Sequence, residues 1–131
     1  MKLIKEIKSK AGDIHFKRWE ILKTPFGSIW LHAIHKADTD KHLHNHPWDF
    51  ISVVLKGSYY EQTPKGNKKQ YPGKINVRDG SEYHKILEMV SPVVYTLFFV
   101  SPPKRQWGYR VRGEFIDHET YREMKNKGEL C

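Results

Sequence analysis

Three histidines fall within five residues, His42-Leu43-His44-Asn45-His46. On a β-strand, residues i and i+2 point to the same side. His44 and His46 can therefore offer two imidazole nitrogens to one ion about 2 Å from each. Such a pair alone is weak evidence, because exposed histidine pairs arise by chance. Its context is stronger: the strand-forming run Val53-Val54-Leu55-Lys56-Gly57 follows, and a lone histidine, His84, begins a later strand after Asp79-Gly80. His42 falls at a loop position beside the pair. His32 and His35 are an odd number of residues apart, so a strand sends them to opposite sides. His15 and His118 read as surface residues.

The elements that must position these histidines are short strands. Ile14 to Lys23 and Ser28 to Lys36 flank the turn Thr24-Pro25-Phe26-Gly27. Phe50 to Leu55 is rich in β-formers, Ser58 to Thr63 continues beyond Gly57, and Pro64-Lys65-Gly66-Asn67 reads as a hairpin loop. Lys68 to Tyr71, Lys74 to Arg78, Tyr83 to Glu88, Val93 to Val100 and Arg105 to Val111 complete the set. Nine or ten such strands, with turns every eight to twelve residues, predict an all-β sandwich or barrel. Leu3, Ile4 and Ile7 have helical spacing, predicting a short N-terminal helical turn that Ala11-Gly12 would end. Asp117 or His118 to Asn126 reads as a C-terminal helix stopped by Gly128.

Length and composition set the limits. The 131 residues fit a single domain, 1–131, and 13% aromatic content with four Trp supplies enough apolar bulk for a core. No apolar stretch approaches the roughly 20 residues of a membrane span, and the N-terminal lysines precede no secretion-signal core. The only cysteine, Cys131, excludes an internal disulfide, and a reducing, cytoplasmic location is the expectation. The formal charge of +8 could attract anions. Its lysines are scattered, however, without an arginine stripe or an aromatic RNA-binding motif, so nucleic acid is a weak candidate and a solvated surface the better one.

In these residues the chain resembles the cupin superfamily. His44-x-His46 and Gly57 stand where the first cupin motif has its histidines and glycine, and Gly80-Ser81-Glu82-Tyr83-His84 is similar to the second, with one extra residue. More narrowly, His44-Asn45-His46-Pro47-Trp48-Asp49-Phe50, Gly57-Ser58-Tyr59-Tyr60-Glu61, Thr96-Leu97-Phe98-Phe99-Val100-Ser101-Pro102-Pro103 and Arg105-Gln106-Trp107-Gly108-Tyr109 resemble a group of small, single-domain cupins of bacteria and phages. The resemblance runs from about Ile29 to Tyr109. It implies an RmlC-like jelly roll, the double-stranded β-helix, with a metal held inside by His44, His46 and His84. It implies little about the reaction, since cupins include enzymes of several classes as well as binders.

One departure concerns the fourth ligand. The position seven before Gly57, where a typical cupin has glutamate, is Phe50; the nearest carboxylate is Asp49, one residue earlier. A bulge could turn Asp49 inward as a ligand; otherwise it would orient a ligating histidine, leaving three histidines and water. That donor set suits a divalent transition metal: Zn, Fe(II), Mn or Ni. Tyr60 is a candidate acid if it points into the barrel. Arg105 could grip a carboxylate or phosphate, and Trp48 and Trp107 could wall a pocket, although packing is the default for both.

Three functions fit this reading. The first is a metal-dependent enzyme acting on a small, anionic molecule through Lewis-acid or oxygen-activating chemistry. The second is a non-catalytic binder that uses the metal as an anchor for a small-molecule ligand. The third is a metal-free relative of sugar-nucleotide isomerases and epimerases, with a histidine base and a tyrosine acid. Aromatic-rich outer strands would also permit a homodimer.

Overall fold

The computed structural model describes residues 1–38 and 42–128, so Cys131 lies outside the described residues. Eleven strands and one helix occur among them: β1 (Lys2–Lys8), β2 (Ile14–Thr24), β3 (Gly27–Ile34), β4 (Phe50–Lys56), β5 (Tyr59–Thr63), β6 (Gly66–Gln70), β7 (Ile75–Arg78), β8 (Lys85–Met89), β9 (Val94–Val100), β10 (Gly108–Val111), β11 (Glu114–Asp117) and α1 (His118–Asn126). A six-stranded sheet runs in the order β1-β2-β3-β9-β4-β7, a three-stranded sheet in the order β6-β5-β8, and β10 pairs with β11.

Alternation decides what goes inside. In β4, Phe50, Ser52 and Val54 are buried while Ile51 and Leu55 are exposed. In β5, Tyr59 and Glu61 are buried and Tyr60 faces outward. Ile34, Val54 and Val94 of the large sheet pack with Tyr59 of the small one, and Phe16, Ile86 and Met89 close this cluster. A second cluster joins Trp48, Phe50 and Val100 to Trp30 and Phe98. The two sheets therefore face each other across an apolar filling, as sandwiches and barrels require.

The N-terminal expectation is corrected. Residues 2–8 form strand β1 rather than a helical turn, paired antiparallel with β2 from Lys2↔Glu20 to Lys8↔Ile14. A turn and a half of helix is too short to persist alone, whereas the free edge of β2 offers a ladder of hydrogen bonds. At the other end, Asp117 caps α1, its carboxylate accepting from Thr120 N, and Gly128 follows the helix with φ of +71°. This is the N-cap and glycine stop that the sequence carries.

Candidate metal centre

The His-x-His segment lies between two strands and is bonded to both. His44 N and His84 N each donate to the other's carbonyl at 2.9 Å, so two of the candidate ligands clamp one another through the backbone. On the other side, Asn45 N donates to Gly108 O at 3.0 Å, and Gly108 N returns a bond to Asn45 Oδ1 at 2.7 Å. His46 N donates to Gly80 O at 2.8 Å. Gly80 has to be glycine here: a Cβ would run into the carbonyl of Trp48 and the guanidinium of Arg105.

These constraints bring together His44, His46 and His84. One ring nitrogen from each lies within 4.8 Å of the others. His46 Nε2 and His84 Nε2 are 2.7 Å apart. Nitrogens about 2.0–2.1 Å from one tetrahedral ion are separated by about 3.4 Å, a spacing between those two distances. An all-imidazole donor set suits zinc, iron and nickel. The residues therefore fit a metal ion.

Protonation favours ligation as well. Loss of water around the rings, and then the neighbouring His84, hold His44 and His46 well below the ordinary histidine value of 6.5. Both are neutral at pH 7, as a ligand must be.

The carboxylate at the cluster is Glu61, which sequence reasoning did not single out. Glu61 is 3% exposed. Its Oε2 lies 2.8 Å from His84 Nδ1, and its two oxygens accept from Arg78 Nη1 at 2.8 Å and Nη2 at 2.6 Å. Burial alone would raise its pKa, but the bonds and charges of His84 and Arg78 outweigh that and bring it to about 2. An ionised Glu61 can only accept, so the His84 Nδ1 that faces it carries a proton, and this bond turns Nε2 toward His46. Gln70, Asn76 and Ser52 extend the network: Asn76 Nδ2 donates to Gln70 Oε1 at 2.7 Å and to Ser52 Oγ at 3.4 Å.

Asp49 has a different place from the one the sequence suggested. Its Oδ1 accepts from Gly80 N at 2.8 Å and Arg105 Nη2 at 2.9 Å, and its Oδ2 from Lys104 Nζ at 2.8 Å. It is outside the histidine group and bonds to none of the three. Lys104, Gly80 and Arg105 together hold its pKa far below the usual carboxylate range. With Arg105, which also reaches His46 O at 3.3 Å, it ties the backbone behind His46 to the Gly80 turn. No bulge turns it inward because those donors already occupy its oxygens.

The remaining candidates divide. Trp48 is at the site: its ring stacks on His46 with centroids 4.4 Å apart and an 11° angle between planes. Trp107 is not; it stacks on His118 at 4.6 Å and lines a cleft with Tyr121, Arg122 and Lys125 of α1. Tyr60 lies on the outer face, 37% exposed, because the pleat of β5 sends Tyr59 and Glu61 inward instead. His42 Nδ1 bonds Tyr121 OH at 2.9 Å rather than joining the cluster.

Comparison with known structures decides the architecture. A cupin-2 domain protein from Rhodospirillum rubrum matches 95% of this chain and 81% of its own, with a TM-score of 0.64 at 12% identity. The fold is the cupin double-stranded β-helix. KdgF from Halomonas sp. is similar over 80% of this chain and 96% of its own, with a TM-score of 0.55 at 14% identity. A sugar phosphate isomerase of the cupin superfamily from Silicibacter pomeroyi is similar over 72% of this chain, with a TM-score of 0.58 at 14% identity; the match spans 64% of that protein's length. No protein-family model matches the sequence, and no curated protein matches it. No helix among the described residues is long and apolar enough to cross a membrane.

Proposed function

We propose that this cupin binds a divalent transition metal at His44, His46 and His84 and acts on a small anionic molecule there. The observation that carries the reading is the convergence of three imidazoles, one of them oriented by a buried carboxylate that is itself neutralised by an arginine. Such a partner fixes the tautomer of a ligating histidine and strengthens its donation. When bound, the metal would supply Lewis-acid activation of a ligand oxygen or, as Fe(II), oxygen activation. The protein's own part is to hold His84 with Glu61, hold His46 between Trp48 and the Gly80 turn, and keep water from the rings. Three neutral ligands leave the charge of the ion uncompensated, which favours an anion in an open coordination position. The metal-free reading needs a tyrosine facing a histidine base, and Tyr60 faces away from the barrel interior. A binder that uses the metal only as an anchor would rest on the same residues, and a turnover screen of the loaded protein separates it from an enzyme.

The test is elemental analysis. Wild-type protein should carry near-stoichiometric Zn, Fe, Mn or Ni, and His44→Ala and His84→Ala should carry little. Equal metal in all three proteins would sink the proposal.

The proposal extends to a homodimer. Leu22, Ile29, Phe99, Ile51 and Val77 are successive register partners across the outer face of the large sheet. Four of them, Leu22, Phe99, Ile51 and Val77, are 41–74% exposed. A continuous apolar stripe of this kind marks an association surface. Val77→Lys should lower the solution mass measured by light scattering from dimer to monomer; an unchanged mass, or a monomeric wild type, would count against this face.

A further inference from the structure

Next to the histidine cluster, the large sheet carries the half-buried Arg18, with no ion-pair partner among the described residues, between the exposed Lys5 and the buried His32. By register, Lys5 lies opposite Arg18, Arg18 opposite His32, and His32 opposite Thr96. Directly opposed residues share a face, and like charges there are destabilising. Arg18 Nε donates to His32 Nε2 at 2.9 Å. Its guanidinium lies 4.1 Å from the centroid of the Trp30 ring, 5.5 Å from Phe16 and 5.7 Å from Trp48. Among the described residues neither terminal nitrogen of Arg18 has a hydrogen bond or an ion pair. Burial, opposed by no neighbouring acid, draws its pKa down to about 10.

Two further polar atoms on this face lack a partner. Trp30 Nε1 and Thr96 Oγ1 are both buried without a hydrogen bond, and Thr96 is only 1% exposed. A buried polar group left unpaired costs about 1–3 kcal/mol. Natural cores rarely tolerate two of these beside a half-buried guanidinium whose terminal nitrogens bond to nothing, unless a ligand completes them. The unpartnered groups are a guanidinium edge, an indole N–H and a hydroxyl, all able to donate. Their complement is a group that only accepts.

We propose that Arg18, assisted by Trp30 Nε1, binds the carboxylate of a small organic acid whose other end reaches the histidine cluster. The proposal rests on the metal-site reading above and names the ligand class for it. The two free nitrogens form a planar fork that matches two oxygens of an anion. A carboxylate is favoured over a phosphate because the aromatic surroundings of Phe16, Trp30 and Trp48 leave few donors for a more highly charged anion. Trp48 links the two ends, since its ring stacks on His46 on one hand and lies within 5.7 Å of Arg18 on the other. A ligand spanning both would carry an oxygen donor for the metal and a carboxylate for Arg18, the pattern of a dicarboxylate or a 2-oxo or 2-hydroxy acid.

The test titrates zinc-loaded and zinc-free protein with succinate, malonate, acetate and inorganic phosphate, by calorimetry and thermal shift. In the wild type, malonate or succinate should bind and raise the melting temperature more than acetate or phosphate. Arg18→Met, which keeps the length of the stem, should weaken that binding by about tenfold to a hundredfold. Trp30→Phe, which keeps an aromatic ring but removes the N–H donor, should weaken it severalfold. Zinc content should stay at the wild-type level in both variants. If Arg18→Met does not fold, Arg18→Lys and Trp30→Phe carry the comparison. Equal dicarboxylate affinity in the variants, a preference for phosphate, or no carboxylate binding to wild type would each overturn the inference. Carboxylate binding that depends on Arg18 in a protein that takes up no zinc would uphold the inference while removing the metal reading.

Discussion

Replacing Glu61 by glutamine is expected to cost about 3–5 kcal/mol of stability and to weaken metal binding about 10–100-fold. Both effects come from one side chain with two partners. Toward Arg78, Glu61 makes a two-pronged ion pair with side chains only 4% and 11% exposed. Removing the negative charge leaves a guanidinium in a desolvated setting with no compensating anion, the case in which breaking an ion pair is most costly. Toward His84, Glu61 accepts the Nδ1 proton at 2.8 Å. A glutamine can still present an oxygen to one partner, but it cannot stabilise positive charge on a metal-bound imidazole as a carboxylate does. The two roles can be separated. The double variant Glu61→Met with Arg78→Met replaces the pair by apolar groups of similar length, so it should recover most of the lost stability. Its metal affinity should stay low, because His84 still lacks an acceptor. Denaturant melts of the apoprotein and a competitive zinc titration read the two quantities independently. Full metal affinity in the double variant would show that Glu61 serves the core alone.

Why Glu61 was not legible in the sequence is a matter of register. Alternation puts Tyr59 and Glu61 on one face of β5, but it does not say which face is inward. The large aromatic residues Tyr59 and Tyr60 make either orientation plausible for burial. Only the pairing of Glu61 with Ile86 and of Gln62 with Lys85 brings β5 alongside β8, the strand that follows His84. Pairing of that kind is non-local and has no sequence signature. Counting from Gly57 directed attention upstream to Asp49, although the carboxylate at the site lies four residues downstream of that glycine. The signal that could have found it is a lone acid in a strand of β-formers, matched by Arg78 at the end of another strand. His44, His46 and His84 were legible because i, i+2 spacing and a glycine turn are local features. The all-β fold class was legible through turn residues at regular intervals; the strand order was not. The hairpin of β10 and β11 was not anticipated as two strands. Its turn is Arg112-Gly113, both with positive φ, and arginine is not a residue that advertises a left-handed turn.

Acidifying the metal-free protein from pH 7 toward pH 5 is expected to lower its stability steeply. His32, His44 and His46 are all held well below 6.5 in the folded state. Burial is the main cause for each; the second is Arg18 for His32 and His84 for His44 and His46. In the unfolded chain the same three groups titrate near their ordinary value. Below about pH 6.5 the unfolded state therefore binds protons that the folded state refuses, and stability falls as pH falls. Each histidine contributes a slope of up to about 1.4 kcal/mol per pH unit, or about 4 kcal/mol per unit for the three together. Against a total of about 5–15 kcal/mol for an ordinary domain, that slope brings unfolding within a few pH units. Glu61 acts in a separate window. Its pKa is depressed from 4.5 to about 2, so its contribution is intact above pH 4.5 and is lost only as pH falls from there toward 2. A loss beginning between pH 6.5 and 5 thus belongs to the histidines and not to the carboxylate. Urea melts in the presence of a chelator, at half-unit steps from pH 8 to pH 4, measure the slope directly. His32→Phe, which removes one titrating group from the aromatic cluster of Phe16, Trp30 and Phe98, should reduce the slope by about one third. Stability that is flat between pH 6.5 and 5 would mean that these rings accept protons in the folded protein, and that the donor set at the cluster is not held neutral by its surroundings.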